Sequence, residues 1–342
     1  MKVSIGAHIK DGPWGGGNLF FSNLKIYLEN NNHQVVNHLL DEDIDIVLLT
    51  DPRKDSESSS FTHLEIEKYK KEINPQVSFV HRINECDERK NTQGLNQFIN
   101  LANKEADGTV FVSDWIMNLY ENQGYKFNNP KVIMSGSNTS IFNSNNYKLW
   151  DENEKISIVT HHWGGNWNKG FDTYQKLDEL LDRSSFSELF KFTYIGNVPE
   201  GFEFKNTELI PPLSGLKLAS ELKKSHIYIT GSLNEPSGNH HIEAALCGLP
   251  ILYIKSGALP EYCHNYGVEF TIENLEEKIV EIKNNYFDII ENLKIYPYIS
   301  DQMCREYESL FLSLHNISLS TNRNIKKVSK LNRLKLKIKK FI

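Results

Sequence analysis

The chain has only four cysteines among its 342 residues: Cys86, Cys247, Cys263 and Cys304. They are scattered and form no CxxC pair, which argues against a zinc site and for reduced thiols in the cytosol. No apolar run reaches 18 residues and the mean hydropathy is −0.47, which excludes a transmembrane helix. Met1-Lys2-Val3-Ser4-Ile5-Gly6 leads straight into a strand pattern with no signal-peptide layout. The dinucleotide fingerprint is also missing, because Gly15-x-Gly17 is followed by Phe20 where a third glycine would stand. There are no short internal repeats and no nucleic-acid-binding motif. The expected location is therefore cytoplasmic.

Positive charge gathers without acids at one end. Residues 321–342 carry nine Lys or Arg and no Asp or Glu, leaving 29 basic against 44 acidic residues in the other 320. Apolar residues interleave with the cations from Leu331 to Ile342. Such a tail suits an anionic membrane surface, with a merely solvated tail as the alternative; peripheral attachment at the inner leaflet is the expectation.

What the chain has is alternation. Strand patterns occur near Val3–Ala7, Gln34–Asn37, Ile44–Leu49, Val77–Arg82, Val110–Val112 and Val132–Met134. Helical patterns between them lie near Asn18–Glu29, Phe61–Ile73, Thr92–Glu105 and Asp114–Gln123, the last capped by Ser113. Strands recur near Ile156–Thr160, Phe192–Ile195, Ile227–Thr230, Ile251–Ile254 and Val268–Phe270, and a last helix near Asp301–His315. This is an α/β chain with parallel sheets covered on both faces, long enough for two domains. The aperiodic, Asn- and acid-rich stretch Phe142–Lys155 is the expected linker.

The most informative stretch is His226–Cys263. Strand Ile227–Thr230 runs into the polar loop Asn234-Glu235-Pro236-Ser237-Gly238-Asn239, a helix with Ile242, Ala245 and Leu246 on its apolar stripe, a stop at Gly248, and strand Ile251–Ile254. A helix N-terminus presents free N–H groups and the positive end of the dipole, so this loop suits an anion. Ser237 and Gly238 let a ligand approach the amides. Glu235 precedes them, and Glu243 sits one turn into the helix, off the stripe. Two acids beside an anion site suit a ligand with both phosphate and hydroxyls, that is, a sugar nucleotide.

Glu235-x7-Glu243, followed by Ala244-Ala245-Leu246-Cys247-Gly248-Leu249-Pro250, resembles the donor motif of retaining GT-B glycosyltransferases of the family 4 type. The resemblance covers about Lys155–Cys263 and extends to the N-terminal half by layout alone. It implies two Rossmann-like domains facing a cleft: 1–148 for the acceptor, 149–298 for the donor, a helix at 299–318 crossing back to the first domain, and the tail 319–342. Lys169-Gly170, before an amphipathic helix, matches the family's Lys-Gly pair, whose lysine neutralises the donor diphosphate. The family's arginine five residues earlier is replaced by Gly164; Asn166, His162 and Trp163 are candidate substitutes.

By the same resemblance Glu243 would take the ribose hydroxyls. The amides of Ser237, Gly238 and Asn239 would hold the diphosphate with Lys169. Gly196 would line the nucleotide pocket, and Glu235 would contact the donor sugar. Gly16 and Gly17, in a glycine-rich turn opening a helix, and His81 and Arg82, at a strand's carboxyl end, would meet the acceptor, His81 as a proton shuttle. A plain turn and a local ion network are the plainer readings of these four residues. Asp43-Ile44-Asp45 looks like a metal-holding DxD but opens a strand at its polar end, and His161-His162 and His240-His241 diverge as adjacent residues, so no metal and no cofactor is expected. The expected activity is retaining hexosyl transfer from a nucleotide sugar to a glycan or lipid-linked acceptor, as in cell-surface polysaccharide or lipopolysaccharide synthesis. The alternatives are a sugar-nucleotide epimerase or hydrolase, or a non-catalytic sugar-nucleotide binding protein.

Overall fold

The computed structural model describes residues 1–9 and 16–320. The glycine-rich turn before Gly16 and the basic tail from Thr321 therefore lie outside the described residues. The chain divides into two compact units, one running from the N-terminus to Met134 and resuming at Asp301, the other holding Ser135–Ser300.

The first unit is built on six parallel strands: β1 (Lys2–Ile5), β2 (Gln34–Val36), β3 (Ile46–Leu49), β4 (Ser78–Ile83), β5 (Gly108–Phe111) and β6 (Pro130–Val132). Their order is β2-β1-β3-β4-β5-β6. Helices cover both faces, so the central strands β3 and β4 are buried at every residue, the polar Ser78, His81 and Arg82 of β4 included. Helix Gly16–Asn30 packs Phe20, Phe21, Leu24 and Leu28 on one face. Helix His63–Glu72 closes the other with Ile66 and Tyr69, beneath a capping box in which the Thr62 N–H donates to Glu65. Ser113 does cap helix Asp114–Asn122: the Ile116 N–H donates to its Oγ at 3.4 Å. Ser113→Ala should cost about 1 kcal/mol in urea unfolding; an unchanged midpoint would remove the cap from the account.

The final helix, Ser300–Ser320, belongs to this first unit from Asp301 onward. Met303, Cys304, Tyr307, Phe311 and Leu314 enter the same core as Val3, Ile5 and Phe20. His33 and Tyr27 both reach the Glu308 carboxylate, at 2.8 and 3.1 Å.

The second unit has six more parallel strands: β7 (Ile156–His162), β8 (Phe190–Gly196), β9 (Glu208–Ile210), β10 (Ile227–Thr230), β11 (Ile251–Ile254) and β12 (Gly267–Phe270). The order β12-β11-β10-β7-β8-β9 reverses direction between β10 and β7. In an open α/β sheet that switch point, at the carboxyl ends of the strands, is where ligands bind.

Two features differ from the sequence reading. Strand β9 was not anticipated. The expected linker, Phe142–Lys155, packs onto the second unit: the Tyr147 and Tyr286 hydroxyls lie 2.7 Å apart, and the Trp150 N–H donates to the same Tyr286 oxygen at 3.2 Å. Two aromatic anchors in a polar stretch hold it down, and the division between units falls earlier, at Met134 and Ser135. All four cysteines are buried and free. No helix among the described residues is long and apolar enough to cross a membrane.

Candidate active site

Two loops leave the switch point of the second sheet. The first follows β7 and ends in a 3-10 turn, Trp167–Lys169. The second follows β10 and ends at helix Asn239–Leu246. They meet backbone to backbone, because Gly170, at φ +107°, has no side chain to hold it off Gly231; a Cβ on Gly170 would collide with the Gly231 backbone, and one on Gly231 with the Thr173 side chain. The Leu233 N–H donates to the Asn168 carbonyl at 2.8 Å and locks the contact.

That meeting brings Lys169 onto Glu235, 66 residues away in sequence. Lys169 Nζ donates to Glu235 Oε2 at 3.1 Å, and Ser232 Oγ donates to the same oxygen at 2.9 Å. Glu235 is only 8% exposed. A third loop supports it from behind: the Ala258 N–H donates to the Glu235 carbonyl at 2.8 Å, and the Asn234 N–H to Ser256 Oγ at 2.8 Å. The carboxylate is thus aimed by fixed neighbours and faces the Lys169 ammonium.

Gly238 caps the helix at φ +80°, and Asn239 is its first residue. Ser237 Oγ donates to Ser135 Oγ at 2.7 Å, and the Ser135 N–H donates to the Tyr262 hydroxyl at 2.9 Å, so the loop before the helix is anchored. The helix stops where expected, with Gly248 in the left-handed region.

Glu243 is buried, 4% exposed, and is not a solvated helix residue. Its Oε2 lies 3.0 Å from Nε2 of His161, at the end of β7. Sequence reasoning missed this partner, because strand and helix are 82 residues apart. His240 and His241 flank the pair. His240 Nε2 lies 2.9 Å from Thr230 Oγ1, and His241 packs edge-on against Tyr262. Burial holds His240 well below the usual histidine range and pushes His241 down to about 3. Gly196 ends β8 at a φ of +144°, where a side chain would run into the His162 carbonyl.

Of the residues expected at the acceptor, Gly17, His81 and Arg82 lie in the first unit and Gly16 is grouped with the second. His81 is 1% exposed, with Nδ1 3.1 Å from Asn103 Oδ1, and Asn103 is bonded in turn to Thr109. Burial pushes its pKa down to about 4, so this is a neutral core histidine bonded through Nδ1, without the solvent-facing ring that a proton shuttle would present. The Arg82 guanidinium stacks 4.1 Å above the Phe20 ring. Gly16 and Gly17 open helix Gly16–Asn30. Asp43 and Asp45 both serve Lys2, through its side chain and its N–H, as befits the polar entry to β3.

No family profile matches the sequence. An uncharacterised protein of Sulfolobus islandicus rod-shaped virus 1 is 23% identical over 240 residues, covering 56% of this chain and 63% of that protein, so the chain spans less than two thirds of that relative. Solved structures match over almost the whole chain. Sucrose-phosphate synthase from Thermosynechococcus elongatus superposes with a TM-score of 0.66 at 12% identity, covering 92% of this chain and 99% of that one. Anabaena HepE in complex with UDP and glucose gives 0.65 at 13%, covering 91% and 99%, and a glycosyltransferase from Rickettsia africae gives 0.63 at 14%, covering 92% and 98%. The fold is GT-B. Within that fold, Lys169, Glu235 and the Asn239–Leu246 N-terminus stand at the switch point of the second Rossmann-like sheet.

Proposed function

We propose that this protein transfers a sugar from a nucleotide-sugar donor to a glycan or lipid-linked acceptor, with retention of configuration. The observation that carries the reading is the Lys169–Glu235 pair, held within hydrogen-bonding distance beside the N-terminus of helix Asn239–Leu246 at the switch point of the second sheet. The likeness to HepE, whose structures hold UDP and UDP-glucose, supports a nucleoside diphosphate as the activating group.

The roles follow from charge and position. The amides of Ser237, Gly238 and Asn239 and the Lys169 ammonium would receive the diphosphate, and the helix dipole would add to both. Glu243 would take the ribose hydroxyls. Gly196, whose lack of a side chain lets β8 close on β7, would line the nucleotide pocket. Glu235 would lie against the donor sugar, where a carboxylate favours positive charge developing at the anomeric carbon. As the bond from that carbon to the phosphate oxygen breaks, the acceptor oxygen would bond to the same face and its proton would pass to the departing phosphate. Lys169 and the helix N-terminus would neutralise the leaving group, so the reading calls for no metal.

A panel of nucleotide sugars in thermal unfolding tests this reading. A ligand at a hundred times its Kd adds about 2.7 kcal/mol to the folded state. The donor and its nucleoside diphosphate should raise Tm together, with a slope set by the logarithm of ligand concentration. No shift across uridine, guanosine, adenosine and cytidine nucleotide sugars would sink the proposal.

A further inference from the structure

The His161–Glu243 pair asks why a strand end commits a buried histidine to a helix carboxylate. Both residues are more than nine-tenths buried. Nε2 of His161 lies 3.0 Å from Oε2 of Glu243, while Nδ1 is buried and has no hydrogen-bond partner. This pattern selects one tautomer. With its proton on Nδ1, the ring would bury an orphan N–H and turn its lone pair on a carboxylate oxygen. With both nitrogens protonated, the orphan N–H would remain. The ring therefore carries its proton on Nε2 and donates it to Glu243, whose carboxylate keeps its negative charge. The other oxygen, Oε1, has no hydrogen bond from any described residue.

The ring itself is rigidly placed. The His161 N–H donates to the Tyr228 hydroxyl at 3.2 Å, that hydroxyl donates to the His161 carbonyl at 3.3 Å, and the two rings meet edge to face at 5.5 Å. His161 is also paired in register with Ile195 of β8. Glu243 rides on a helix pinned by Ile242, Ala244 and Ala245. One oxygen is thus fixed to a rigid strand and the other is left to accept hydrogen bonds.

We propose that His161 is a positioning residue that fixes the Glu243 carboxylate so that Oε1 receives the ribose hydroxyls of a nucleoside diphosphate. This rests on the donor reading above. A ring that merely stabilised the fold would affect every ligand alike. A positioning residue affects only ligands that carry the hydroxyls.

Binding of uridine, adenosine, guanosine and cytidine diphosphates, each beside its 2′,3′-dideoxy form, is measured by calorimetry to wild type, His161→Phe and His161→Gln. Wild type should prefer the ribose form of the nucleotide it binds. His161→Phe should weaken that form roughly ten- to hundredfold, the worth of a hydrogen bond to a charged group, and leave the dideoxy form unchanged. His161→Gln, which can offer an N–H from a similar place, should recover part of the loss. An equal loss for both forms, or none, overturns the positioning role while leaving the donor reading intact. Wild type that binds none of the eight overturns both. Should His161→Phe fail to fold by circular dichroism, the same comparison is read from His161→Gln and Glu243→Gln, and a preference for ribose that survives in both rejects the proposal.

Discussion

Lys169→Ala is expected to cut sugar transfer about 10²–10³-fold, the usual cost of removing one preorganised donor from a developing anion. It should also lower stability, because the Glu235 carboxylate would stay buried after losing the Lys169 ammonium that donates to it. The two losses have different origins and can be separated. Adding Glu235→Ala removes the stranded carboxylate, so the double variant should regain much of the stability of wild type and none of the turnover. Lys169→Arg keeps the charge in a wider head group and should fall between. Steady-state rates with the donor found in the unfolding screen, beside urea midpoints for all four proteins, check the pattern. Transfer that returned with stability in the double variant would mean that Lys169 serves the fold alone.

Much of this site was legible in the chain before its structure. The period-2 and period-3.6 segments marked eleven of the strands near their observed places, and the loop between β10 and β11 announced itself by two acids around a Ser-Gly at a helix start. The edge strand β9 was not legible, since Glu208–Ile210 is three residues long and largely exposed, so it carries no burial pattern. The packed segment around Tyr147 and Trp150 misled for the opposite reason: its anchors are single aromatics set among polar residues. The direct side-chain pairings were hidden, although the family resemblance sets Lys169 beside the loop of Ser237, Gly238 and Asn239. His161 reaches Glu243 and Lys169 reaches Glu235 only because the parallel sheet puts β7 beside β10, and no local spacing records that neighbourhood. His81 shows the limit of position as a signal. The carboxyl end of a central strand faces either a ligand or the helical cover, and β4, buried throughout, sends its histidine into the cover.

The same burial makes the molecule sensitive to mild acid. His81 in the first unit titrates near 4, and His241 in the second near 3, because their surroundings disfavour the charged ring. In the unfolded chain both take a proton near 6.5, so between that pH and the folded values the unfolded state binds more protons and stability rises with pH. The stability they permit is complete above about pH 7 and drains away as pH falls through 6.5 towards 4. For each histidine the loss from pH 7 to pH 5 is about 2 kcal/mol, a large part of the stability of an ordinary domain. His240, also held neutral by burial, acts with the same sign. The window lies above the range where carboxylates titrate, so their protonation does not mask it. Urea midpoints from pH 7 to pH 5 should fall steeply for wild type. His81→Gln should start lower at pH 7, because the contacts of the ring are lost, and then decline less, because one proton-linked group is gone. Equal slopes for the two proteins would show that His81 takes no part, and midpoints independent of pH over this window would overturn the argument for both rings.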